Sequence, residues 1–85
     1  MRVTVYGQLR SATGEKTVSV DFEGGTVRDA LSAFADEYRR AERQLFEGDD
    51  VAPSVRLAVD GEAVDPDDDC PPDAELAVHP PMRGG

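Results

Sequence analysis

Thr26-Val27-Arg28-Asp29-Ala30-Leu31-Ser32-Ala33-Phe34-Ala35-Asp36-Glu37-Tyr38 is the stretch on which the fold turns. Val27, Ala30, Leu31, Phe34, Ala35 and Tyr38 stand at i, i+3, i+4, i+7, i+8 and i+11, so a helix gathers all six into one apolar stripe. Thr26 with Asp29 three residues later forms a capping box, Asp replacing the usual Glu or Gln, and Gly24-Gly25 breaks the segment before it. A helix therefore starts here and needs a sheet to cover its stripe. Arg39, Arg40 and Arg43 follow and read as the C-terminal end of that helix, where cations complement the dipole.

On the N-terminal side, residues 2–8 (Arg-Val-Thr-Val-Tyr-Gly-Gln) alternate with period two and predict a half-buried strand. Ser11-Ala12-Thr13-Gly14 supplies turn chemistry, and residues 16–22 alternate again with Val18, Val20 and Phe22 on one side, so the pair reads as a β-hairpin. On the C-terminal side, Leu45-Phe46 anchors under the core, Glu47 to Asp50 forms an exposed turn, and residues 55–59 form a strand. Asp60-Gly61 is a strong two-residue hairpin signal leading into a short strand at Glu62-Ala63-Val64. Asp65 to Asp73 is acidic and proline-rich without an apolar period and predicts a solvated loop. Glu75 to His79 is the last strand, with Leu76 and Val78 inward, and Pro80-Pro81 ends it because proline cannot donate to a ladder. The order hairpin, helix, strands predicts an α+β chain of β-grasp type, a mixed four- to five-stranded sheet packed on one main helix. Residues 1–79 form the domain and residues 80–85 a flexible tail.

With 85 residues the chain has room for one domain. Its 18 acidic residues against nine basic ones give a net charge of −9, which argues against nucleic acid and anionic membrane surfaces as partners. Eight of the nine cations are Arg and the acids are spread along the chain, a composition suited to concentrated salt, where carboxylate repulsion is screened. Cys70 is the only cysteine, which excludes an intramolecular disulfide and an iron–sulfur cluster of β-grasp ferredoxin type and suits a reducing cytoplasm. Its acidic neighbours Asp67, Asp68 and Asp69 disfavour a thiolate, so it is read as incidental. With His79 the only histidine and no spaced carboxylate set, no metal site is expected. No apolar run is long enough to span a membrane.

The remaining chemistry lies at the end: Pro80-Pro81-Met82-Arg83-Gly84-Gly85. None of these side chains is a catalyst, so the chain is not read as an enzyme. Two glycines without Cβ atoms can thread a narrow channel and bring the α-carboxylate of Gly85 to a partner's nucleotide. Such a carboxylate can attack the α-phosphate of ATP and form an acyl-adenylate that a thiol, sulfur donor or amine displaces.

The start Val3-Thr4-Val5-Tyr6-Gly7-Gln8-Leu9-Arg10, the hairpin Asp60-Gly61-Glu62 and the end from Ala74 to Gly85 together resemble the MoaD family of ubiquitin-like proteins, and within it the small archaeal modifier proteins of halophilic archaea. The resemblance implies a β-grasp fold and activation at Gly85 by an E1-like adenylating enzyme, which uses ATP and magnesium while the chain itself binds no cofactor. Gly84, Arg83, Met82, Pro81 and Pro80 would thread into that enzyme. The adenylated Gly85 would then be joined to a target lysine or become a thiocarboxylate for molybdopterin, with the molybdopterin synthase large subunit as acceptor, or for tRNA thiolation. The resemblance also implies partner docking on the sheet face away from the helix, where alternation places Thr4, Tyr6, Ala58, Ala77 and His79. The free chain is expected to be a monomer, with Lys16 a possible conjugation acceptor. His79 stands where such chains often have an aromatic residue, and Pro72-Asp73 where a Gly-Asp pair is common. The rival reading is a non-covalent β-grasp interaction or regulatory module whose tail is chemically inert.

Overall fold

Strands β1 (Arg2–Val5), β2 (Thr17–Ser19), β6 (Arg56–Val59), β7 (Glu62–Val64) and β9 (Glu75–His79) form one mixed sheet in the order β2-β1-β9-β6-β7. The computed structural model to which these elements belong describes residues 1–80. β1 and β9, the first and last strands, lie parallel at the centre, Val3 opposite Leu76 and Val5 opposite Val78, while the other pairs are antiparallel. Period-two alternation then sends Val3, Val5, Val18, Leu57, Leu76 and Val78 to one face. Helix α2 (Val27–Glu37) meets that face with Val27, Ala30, Leu31, Phe34 and Ala35, all buried. Burying each of the larger side chains contributes about 1.5–3 kcal/mol, so this layer holds most of the folding energy. This is the β-grasp arrangement predicted from the element order.

The capping box is present in both directions: Thr26 Oγ1 accepts from the Asp29 amide at 3.1 Å and the Thr26 amide donates to Asp29 Oδ2 at 3.1 Å. The Asp60-Gly61 turn has positive φ at both residues, 51° and 88°, as a type I′ hairpin requires. Asp60 also ties the turn to β9, its Oδ1 accepting from the Glu75 amide at 3.0 Å.

Several expectations are corrected. The first strand ends at Val5, not Gln8, because Gly7 adopts φ 59° and turns the chain into helix α1 (Leu9–Thr13) where only a turn was predicted. Leu9 is fully buried and fastens that helix to the core. The second strand is shorter than residues 16–22, although Val20 and Met1 extend the pairing through two backbone hydrogen bonds.

The long helix is two. α2 stops at Glu37, Tyr38 leaves helical geometry with ψ 78°, and α3 (Arg39–Leu45) sets off to bury Ala41 and Leu45. Arg39 and Arg40 therefore stand in the first turn of α3, the wrong end for the dipole, and only Arg43 lies in a last turn. Short strands β4 (Phe46–Glu47) and β5 (Asp50–Val51) follow as a small hairpin.

The acidic loop is also more than solvated coil. β8 (Asp69–Cys70) pairs with β3 (Gly25–Thr26), and the carbonyls of Asp68 and Pro66 accept from the Val27 and Arg28 amides, each at 2.8 Å. These bonds satisfy the donors that open α2. The Arg28 guanidinium ties the same loop to β5 through Asp67 and Asp50. Cys70 is 1% exposed and belongs to the core.

Candidate functional site

The sheet face away from α2 is made of short side chains. Register places Thr17, Thr4, Ala77, Ala58 and Ala63 in one row across all five strands. The Thr4 and Thr17 hydroxyls meet at 3.3 Å, leaving a flat floor with few protruding groups. Ala58 and Ala77, expected on the docking face, lie in the middle of this row, half-buried.

One step along the strands the surface rises. Tyr6 lies flat on His79 with ring centroids 4.1 Å apart and planes 5° from parallel, an arrangement worth about 0.5–1.5 kcal/mol beyond burial. Tyr6 is the large apolar side chain that the described residues leave exposed. Lys16 Nζ sits 5.9 Å from the Tyr6 ring centroid, and Arg56 faces His79 across the β6–β9 pair. This ridge thus carries two exposed cations, Lys16 and Arg56, on a chain whose net charge is −9. Among the described residues only Arg28 forms an ion pair.

The ridge is also where the chain leaves the sheet. The Tyr6 amide donates to the Val78 carbonyl at 3.3 Å, and Pro80 follows half-buried beside Gly7. Of the predicted tail, Pro80 is described; Pro81, Met82, Arg83, Gly84 and Gly85 lie outside the described residues. Thr17, Arg56 and Ala63 belong to this surface and Gly7 lies against Pro80 at its edge, but none of them was singled out in the sequence. Alternation shows which side of a strand a residue takes, whereas only register shows which residues become neighbours across strands.

Cys70 lies outside this surface. Burial, and after it the charge of Asp60, pushes its thiol above the ordinary value of 9.0, so the dominant cause is desolvation and not the flanking acids named from the sequence. A thiol held protonated is a poor nucleophile. Among the described residues no group of three or more His, Cys, Asp or Glu side chains could hold a metal ion. No helix among them is long and apolar enough to cross a membrane. A hollow of about 470 Å³ between α2 and α3, lined in part by Asp36, Arg43 and Phe46, lies on the helical side, opposite the ridge.

The structure is similar to small archaeal modifier protein 1 of Haloferax volcanii, with a TM-score of 0.86 and 29% identity over 100% of this chain and 98% of that one. It is similar in fold to small archaeal modifier protein 1 of Methanosarcina acetivorans, with a TM-score of 0.82 and 22% identity over 99% and 94% of the two chains. A chain of the BexX/CysO complex of Amycolatopsis orientalis shares the fold at a TM-score of 0.80 and 21% identity, covering 99% and 98%. The comparison with curated proteins found no match. The ThiS family model matches residues 3–85, from the second residue of β1 to the terminal Gly-Gly. The chain belongs to the ThiS family.

Proposed function

We propose that this protein is a ubiquitin-like modifier or sulfur carrier whose reactive group is the Gly85 carboxylate. The observation that carries the reading is the placement of the tail root: β9 leaves the sheet at the exposed Tyr6–His79 ridge, so a partner can hold the outer face and receive the tail together. The similarity to a small archaeal modifier protein at 29% identity supports the same reading.

The chemistry follows from the carboxylate. An E1-like enzyme holding ATP and magnesium presents the α-phosphorus. A Gly85 oxygen attacks it, the bond to the β-phosphate oxygen breaks, and pyrophosphate leaves. A lysine amine then attacks the acyl carbon, AMP departs, and loss of the amine proton leaves an isopeptide bond. Hydrosulfide attacking the same carbon instead forms the carbon–sulfur bond, expels AMP and, on losing its proton, leaves a thiocarboxylate. The protein supplies the carboxylate and its position, and the enzyme supplies the electrostatic stabilisation of the phosphoryl transfer.

Arg56 and Lys16 on the ridge fit a partner with acidic groups around the tail channel. Intact-mass and peptide mapping of protein from its own cells tests the reading. A sulfur-for-oxygen exchange at Gly85 marks the carrier and Gly-Gly remnants on target lysines mark the modifier, whereas finding neither under conditions that expose activated tails contradicts both.

A further inference from the structure

Three successive residues at the end of β9 are fastened to two residues of the β1–α1 junction. The Val78 carbonyl accepts from the Tyr6 amide at 3.3 Å, the His79 ring stacks on Tyr6 at 4.1 Å, and the Pro80 ring lies over Gly7. A Cβ at Gly7 would stand 3.2 Å from Pro80 Cγ and 3.8 Å from Cδ, so the ring would have to give by a few tenths of an ångström to admit one. Gly7 also holds φ 59°, which L side chains rarely adopt. Proline fixes its own φ near about −65°, and as the residue before Pro81 it is held to extended ψ, so the position of its ring limits the direction in which the chain continues.

From these contacts we infer that Gly7 is a positioning residue for the tail: its missing side chain seats Pro80 and thereby aims the Gly85 carboxylate. The inference rests on the proposed activation at Gly85. Five residues, 81–85, separate this root from the reacting carboxylate and reach at most about 17 Å, so where the root points sets where that reach begins. A displacement of about 1 Å at the reacting atom can cost on the order of 100-fold in rate, whereas docking on the Ala58–Ala77 floor is untouched by a change at residue 7.

Gly14 provides the matched control. It holds φ 77°, so Ala there meets comparable backbone strain, but nothing lies within 4 Å of its added Cβ. Gly7→Ala is expected to lower kcat for ATP–pyrophosphate exchange by the cognate activating enzyme about 10-fold or more, with KM for this protein within about 2-fold of wild type. Gly14→Ala should leave both unchanged at a similar cost in melting temperature. Gly7→Asn separates the two effects at residue 7, since Asn tolerates left-handed backbone but keeps the Cβ; it should match Gly7→Ala. A second readout needs no enzyme: a nitroxide on Met82→Cys, with Cys70 too buried to react, broadens nearby amide signals. Gly7→Ala should change that pattern around Tyr6 and Arg56, and Gly14→Ala should not. Wild-type kcat in Gly7→Ala, equal losses in Gly14→Ala, recovery in Gly7→Asn, or an unchanged broadening pattern would each overturn the seat. Failure of the wild-type protein to be activated strikes the proposed function instead, and the broadening measurement still decides the seat.

Discussion

The two faces of one sheet differ in almost every physical respect. The inner face packs Val3, Val5, Leu76 and Val78 against Phe34 and Leu31, all fully buried, and loses its shape if one is cut back. The outer face carries Thr4, Ala58, Ala77 and Ala63 in its middle row, with the Tyr6–His79 ridge rising one step along the strands. Stability is thus concentrated on one side of the strands, and the other side is the one we propose for recognition. Substitutions on the two sides should separate folding from activation.

The largest effect is expected inside. Phe34→Ala opens a cavity between helix and sheet and should cost about 3–5 kcal/mol in denaturant unfolding, enough to unfold much of a marginal domain. On the outer side the effect changes kind. Tyr6→Ala should weaken docking to the activating enzyme about 10-fold, or about 1.4 kcal/mol, in a titration, while the melting temperature falls by only a few degrees. An equal loss of both quantities would erase the distinction between the faces.

Smaller still is the helix cap. Thr26→Ala removes the oxygen that accepts the Asp29 amide and should cost about 1 kcal/mol of stability, with activation of the folded protein unchanged. The subtlest test uses Cys70. Because burial raises its folded-state value above the unfolded 9.0, its contribution to stability is fully present below that pH and is lost as pH rises through the raised value. Alkaline melts should show the decline, and Cys70→Ala should flatten it.

The same contrast explains what could be read from the chain. The inner face was legible because burial imposes periodicity: the Val27 to Ala35 stripe, the Leu76–Val78 alternation and the Thr26–Asp29 box all carry through. The Asp60-Gly61 turn was legible because positive φ restricts residue type. Helix α1 was not, since five residues with Leu9 as their one buried member offer no period. The division at Tyr38 has no Gly or Pro to announce it. The acidic loop hides its role because it caps α2 with the carbonyls of Pro66 and Asp68, which every residue type possesses. On the outer face, side chains were placed on the correct side, but the meeting of Tyr6 with His79 and of Gly7 with Pro80 depends on the parallel pairing of strands more than 70 positions apart. Local alternation within either strand does not specify that pairing.

The central claim is that the tail, and not any side chain of the folded domain, is the reactive part. No contact described above involves Gly84 or Gly85. ATP–pyrophosphate exchange by the cognate E1-like enzyme should be abolished by that deletion while the melting temperature stays at the full-length value; activation of the truncated protein would contradict the account.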